Sequence, residues 1–236
     1  MAVPTINFNA GTGAGNSTGN ETTTTVVLTP NSEGDVVHIA MVSDAATQTF
    51  TFPAGFSKLY DAQVLSALSA TLARKTAASE SGSYAVTLGT SERQCWVVWS
   101  VSGDGGVHAS ATANTGTSAT ATCPAITTTV NDCLLFRLVA TDTSAITSAP
   151  TNDMAGAGWT ELATQIATSS GAISVYSKPL ATAGAEIAAS VTLFASDQWW
   201  ATTFAIAPAA PAATERSRPN IRPIRSMTLP LPYLRI

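Results

Sequence analysis

The 236-residue chain is long enough to bury a substantial core without disulfide or metal staples. Only 11% of its residues are charged, against about 25% in ordinary soluble domains. The charge is divided unevenly: residues 1–207 carry six Lys and Arg against fourteen Asp and Glu, a balance of −8, and residues 208–236 carry five against one, a balance of +4. An acidic body with a basic tail points to a partner for the tail. The opening "MAVPTINFNAGTGAGNSTGN" has neither the basic nor the apolar region of a secretory signal, and no apolar run reaches the length of a membrane helix. The expectation is a protein made in the cytoplasm, with no membrane partner.

In chain order, residues 1–21 read as a flexible N-terminal segment. The glycine-rich "GTGAGNSTG" at 11–19 lacks the flanking strand and helix of a phosphate-binding loop, and no Lys precedes a Ser or Thr there. Residues 22–207 read as strands throughout. Short runs at 36–42, 49–52, 70–74, 84–88 and 95–101 are rich in β-branched and aromatic residues and are separated by Gly, Ser, Asp or Asn. A second set follows at 133–139, 160–167, 173–176, 187–193 and 199–206. In "DAQVLSALSATLARKTA" the residues Val64, Leu65, Leu68 and Leu72 also fit a short helix.

The two sets form an internal repeat. "GDVVHIAMVSD" from Gly34 and "NDCLLFRLVATD" from Asn131 open copies in which Asp35 matches Asp132, Gly55-Phe56 matches Gly158-Trp159, and Lys75 matches Lys178. The fold expected is all-β: an antiparallel β-sandwich of jelly-roll type built from two sequence-similar halves, about 22–107 and 119–207. The copies either interleave in one domain or stand as tandem sandwiches. Few large apolar residues in each copy favour the interleaved form.

Candidate chemistry is sparse. His38 lies inside the strand "VVHIAMV", and His108 follows a turn where Asp104 is positioned to meet it, without a third partner. Glu80, Glu92, Glu161 and Glu186 stand in turns or singly and do not form the paired carboxylates of a glycosidase. Cys95 and Cys133 read as buried strand residues; Cys123 and Cys133 are the one pair a bridge could join. Trp96 and Trp99 point to opposite faces, as do Trp199 and Trp200, so packing accounts for them better than a sugar-stacking platform. The expectation is no enzyme, no catalytic residue, no cofactor and no metal.

Residues 208–236 form a Pro- and Arg-rich extended arm. Pro219, Pro223, Pro230 and Pro232 rule out a continuous helix or a central strand. Arg216, Arg218, Arg222, Arg225 and Arg235 alternate with Ile221, Ile224, Met227, Leu229, Leu231, Tyr233, Leu234 and Ile236. These thirteen residues are the candidate interaction site: an apolar set with spaced arginines suits an acidic groove, on the chain's own body or on another subunit, better than nucleic acid.

The doubled pattern "GDVVHIAMVSD … PAGF … LARK … QCWVVWSVSG" and "NDCLLFRLVATD … GAGWTEL … VYSKPLA … QWWATTFAIAP", closed by "LPLPYLRI", resembles a group of tailed-bacteriophage virion proteins with β-sandwich folds. The resemblance covers residues 22–236 and implies a non-enzymatic structural protein of the virion, made in the host cytoplasm. The role implied is that of a capsid decoration or cement protein, homo-oligomeric and held to other virion proteins such as the major capsid protein. The alternative is a tail or fibre protein that binds host-surface glycans. No functional residue carries over, because packing roles leave no diagnostic motif.

Overall fold

The computed structural model describes residues 2–8, 13–28, 32–64, 66–78, 82–142, 158–167 and 171–210, and every regular element among them is a β-strand. The first half supplies β1 (Thr5–Asn7), β2 (Ala14–Asn16), β3 (Glu21–Leu28), β4 (Val36–Asp44), β5 (Phe50–Thr51), β6 (Ser57–Val64), β7 (Leu68–Thr76), β8 (Gly82–Glu92) and β9 (Gln94–Ser102). The second supplies β10 (Asp104–Ser110), β11 (Asn114–Cys123), β12 (Ile126–Thr127), β13 (Cys133–Thr141), β14 (Thr160–Ala167), β15 (Gly171–Leu180), β16 (Ala185–Glu186) and β17 (Ala189–Pro208).

Two six-stranded antiparallel sheets form the centre. One runs β1-β9-β4-β7-β6 with β2 also on β9; the other runs β10-β17-β13-β15-β14 with β11 also on β17. Each is drawn from one continuous section of chain, and the path passes between them at Gly103, whose φ of +73° suits glycine. The halves therefore do not interleave, contrary to the expectation. Strands pair with neighbours of their own half, and the scarcity of large apolar residues is met by packing one half's sheet on the other's. Outer layers complete the sandwich: β3-β8-β5 covers the first sheet, and β12-β16 with the folded-back ends of β11 and β17 covers the second.

This layering explains the continuous apolar runs. β4 is buried over its first eight residues and β13 over all nine, because both faces of each strand are covered. Alternate residues go to different cores. Ala40, Val42, Phe136, Leu138, Trp99 and Trp200 meet between the sheets, Ile39 and Met41 face the β3-β8-β5 layer, and Leu135 and Val139 face the opposite outer layer.

The helical reading of 61–77 gives way to the β6–β7 hairpin, in which Val64 pairs with Leu68. A spacing of four residues is common to a helix face and a strand face, so Val64, Leu68 and Leu72 satisfy both periods, and all three enter the central core. The N-terminal segment also departs from the flexible expectation: β1 and β2 both pair with β9. Asp35 helps to fasten it, accepting hydrogen bonds from Asn7 Nδ2 (3.3 Å) and Ser102 Oγ (2.7 Å).

Candidate functional site

One buried constellation of charge lies on the outer face of the second sheet. β13 presents Arg137, β15 presents Lys178 and β16 presents Glu186, beside Trp159 just before β14. Arg137 is only 1% exposed, and its guanidinium lies 4.3 Å from the centre of the Trp159 ring. Both carboxylate oxygens of Glu186 are engaged: Oε1 accepts from Trp159 Nε1 at 3.1 Å, and Oε2 pairs with Lys178 Nζ at 2.8 Å. Arg137 Nη2 donates to the Ile187 carbonyl and stands 3.8 Å from Glu186 Oε1. Burial pulls the Arg137 pKa below its ordinary value, with Glu186 acting in the opposite direction. A cavity of about 300 Å³ opens over this cluster, walled by Thr122, Arg137, Glu186, Ser190 and the 187–189 segment.

The first half shows what the fold requires at this level. Ile39 pairs with Ala73, two residues before Lys75, and Arg137 pairs with Tyr176, two residues before Lys178. Lys75 lies over the Phe56 and Tyr84 rings, as Lys178 lies over Trp159. The first half thus builds its outer core with Ile39 where the second carries a buried arginine. A buried ion pair is weak support for stability, so the charged version calls for another reason.

The remaining polar groups tie layers together. Arg74 on β7 reaches both oxygens of Asp104 on β10 at 3.1 Å, joining the two halves. Asp104 is therefore not the partner of His108, whose Nε2 instead accepts from Thr129 N–H at 2.9 Å. His38 is fully buried, stacks on Trp99 and donates from Nδ1 to the Val36 carbonyl; burial, helped by Arg74, pushes its pKa down to about 3 and keeps it neutral. The three cysteines are free and buried, so no Cys123–Cys133 bridge forms. Asp142, after β13, has a carboxyl pushed up to about 7 by burial and by Asp44 and Asp197.

Trp99, Trp159, Trp199 and Trp200 are buried, and Trp96 packs half-buried against the first half's outer core. Packing is thus the role visible for all five. The thirteen arm residues, Arg216 to Ile236, lie outside the described residues. Compared with known protein families, with curated proteins and with solved structures, the chain matches none of them. What fold and site define, among the described residues, is an all-β protein with two central sheets, outer strand layers and a buried Arg–Glu–Lys cluster under a cavity.

Proposed function

We propose that the chain is a non-enzymatic structural component of a bacteriophage virion, a capsid decoration or cement protein. In this reading it stabilises the shell through contacts of its body, through homo-oligomerisation and through its C-terminal arm on other virion proteins, the major capsid protein among them. Its jelly-roll character and its duplication belong to the same proposal; in the first half, the chain steps from outer β3 to inner β4, outer β5, inner β6 and β7, outer β8 and inner β9.

The observation that carries the reading is the contrast between body and arm. A body with a balance of −8 is followed by a segment that places five arginines among eight large apolar residues. Such a segment gains from lying in a groove, and an arm and a body that engage together bind more tightly than either alone. Deleting residues 211–236 is expected to leave a folded β protein, by circular dichroism, that no longer joins particles. Normal incorporation of the shortened chain would remove the proposal. The second reading, a tail or fibre protein that binds host glycans, is favoured by the cavity over Arg137 and not by any tryptophan platform among the described residues.

A further inference from the structure

We propose that the cavity over Arg137 is a binding site for a small carboxylate, either free or carried on an acidic sugar. The inference does not depend on the assembly role of the arm, because every residue it uses lies in the body.

Charge comes first. Two cations, Arg137 and Lys178, share the single carboxylate of Glu186, so the cluster carries one positive charge more than it neutralises. Buried charge is costly unless matched. Trp159 and Lys178 each engage one oxygen of Glu186, and its single negative charge cannot balance both cations. Arg137 borders the cavity while being nine-tenths or more buried, and its Nε–H has no hydrogen-bond partner among the described residues and is covered from water, so a bound oxygen reaches it only as the guanidinium shifts toward the cavity. A guanidinium edge of this kind is matched best by a carboxylate oxygen.

The walls add polar groups and a size limit. Thr122 Oγ1 and Ser190 Oγ lie 2.9 Å apart on adjacent strands and both border the cavity, so either hydroxyl can turn to donate to a bound oxygen. Ala188, Ala189 and the 77% exposed Ile187 complete an apolar rim. About 300 Å³ is at the small end of ligand sites, room for a short acid or one sugar ring. The first half strengthens the assignment, since Ile39 at the matching place shows that the fold needs no charge there.

The test uses the full-length chain labelled with ¹⁵N, reading the Nε–Hε signals of its eight arginines. Arg137 is identified by the signal lost in Arg137→Lys. Titration at constant ionic strength with sodium acetate, sodium glucuronate and neutral glucose should move the Arg137 signal saturably with both carboxylates, with Kd on the order of 1 mM, and leave it still with glucose. Thr122→Val combined with Ser190→Ala, which leaves the charged cluster intact, should weaken carboxylate binding about tenfold. Glucuronate binding at least as much tighter than acetate would identify an acidic sugar; equal affinities would identify a free small carboxylate. The proposal is overturned if the signal ignores both carboxylates, if glucose moves it equally, or if the hydroxyl variants bind unchanged.

Discussion

The Trp199 indole lies against Gly116 across the β11–β17 pair, so close that a Cβ on that glycine would stand 2.6 Å from ring atom Cζ2. Trp96 covers Gly15 in the same way across β2–β9, at 2.5 Å. An aromatic ring laid over a strand glycine shields backbone that would otherwise pack poorly. Trp199 is 7% exposed and its Nε1 donates to Ser118 Oγ at 3.0 Å, so it has little freedom to move. Trp96 is half-buried. Gly116→Ala is therefore expected to cost about 2 kcal/mol and Gly15→Ala less, read from urea midpoints. Equal costs would show that Trp199 is as free to yield as Trp96.

The Arg74–Asp104 pair joins the first sheet to the start of the second, and the Asp104 side chain is fully buried while that of Arg74 is 17% exposed. Asp104 Oδ1 also accepts from Gly106 N–H at 2.6 Å, which sets the turn after Gly103. Asp104→Asn keeps the size and one acceptor but removes the charge. The expected loss is about 2 kcal/mol. A double-mutant cycle with Arg74→Met should return most of that loss as coupling; additive losses would mean that the pair is not a working tie between the halves.

Stability should respond to pH in two opposed ways. Asp142 in the folded chain titrates near 7, above its ordinary 3.8, so the folded state bears a cost that grows as pH rises through about 7 and is gone below about 3.8. His38 titrates near 3, below its ordinary 6.5, so its contribution is whole above 6.5 and is lost as pH falls toward 3. Asp142→Asn should therefore stabilise the protein relative to the unaltered chain at pH 8, with the advantage shrinking by pH 5. Urea midpoints at the two values check this. An advantage that stays constant would show that the Asp142 carboxyl does not carry the raised pKa.

The strands of the central sheets were legible because both faces of β4, β9 and β13 are covered and their sequences are nearly unbroken apolar runs. The N-terminal strands were not, because their burial comes from one-sided pairing with β9 and their glycines mimic a linker; only the Trp96 ring explains Gly15. The partition into one sheet per half was also hidden, since inner and outer faces look alike when both are buried. Arg137 does carry a signal in the sequence. It is a single charge inside "LLFRLV", whereas the central strand of the first sheet reads "VVHIAMV", without Lys or Arg. Glu186, on the two-residue β16, could be joined to it only by the fold.

If the Arg137 cluster serves a ligand rather than the fold, its charges should be removable together but not singly. Glu186→Gln keeps an acceptor for Trp159 Nε1 yet leaves Arg137 and Lys178 without their carboxylate. It is expected to cost about 3 kcal/mol. Adding Arg137→Leu, which imitates Ile39 of the first half, should recover most of that loss, with Lys178, its side chain 18% exposed, turning its ammonium to solvent. Urea midpoints of both single variants and the double variant measure it. A double variant no more stable than Glu186→Gln would mean that Arg137 packs in a way that leucine does not replace.

Salt should separate charge attraction from apolar packing in the proposed arm. In the proposed assembly role, Arg222 and Arg225 would meet an acidic groove and the neighbouring Ile221, Ile224 and Met227 would supply apolar contact. Charge attraction between exposed groups is screened over about 10 Å at 0.1 M salt, whereas apolar burial is not. Arg222→Ala with Arg225→Ala should thus weaken association strongly at about 0.05 M salt and little at about 0.5 M, by sedimentation of the full chain. Ile221→Ser with Ile224→Ser should weaken it at both. If the arginine variant loses the same affinity at each salt concentration, the arm binds by packing alone, and the acidic body is not its electrostatic complement.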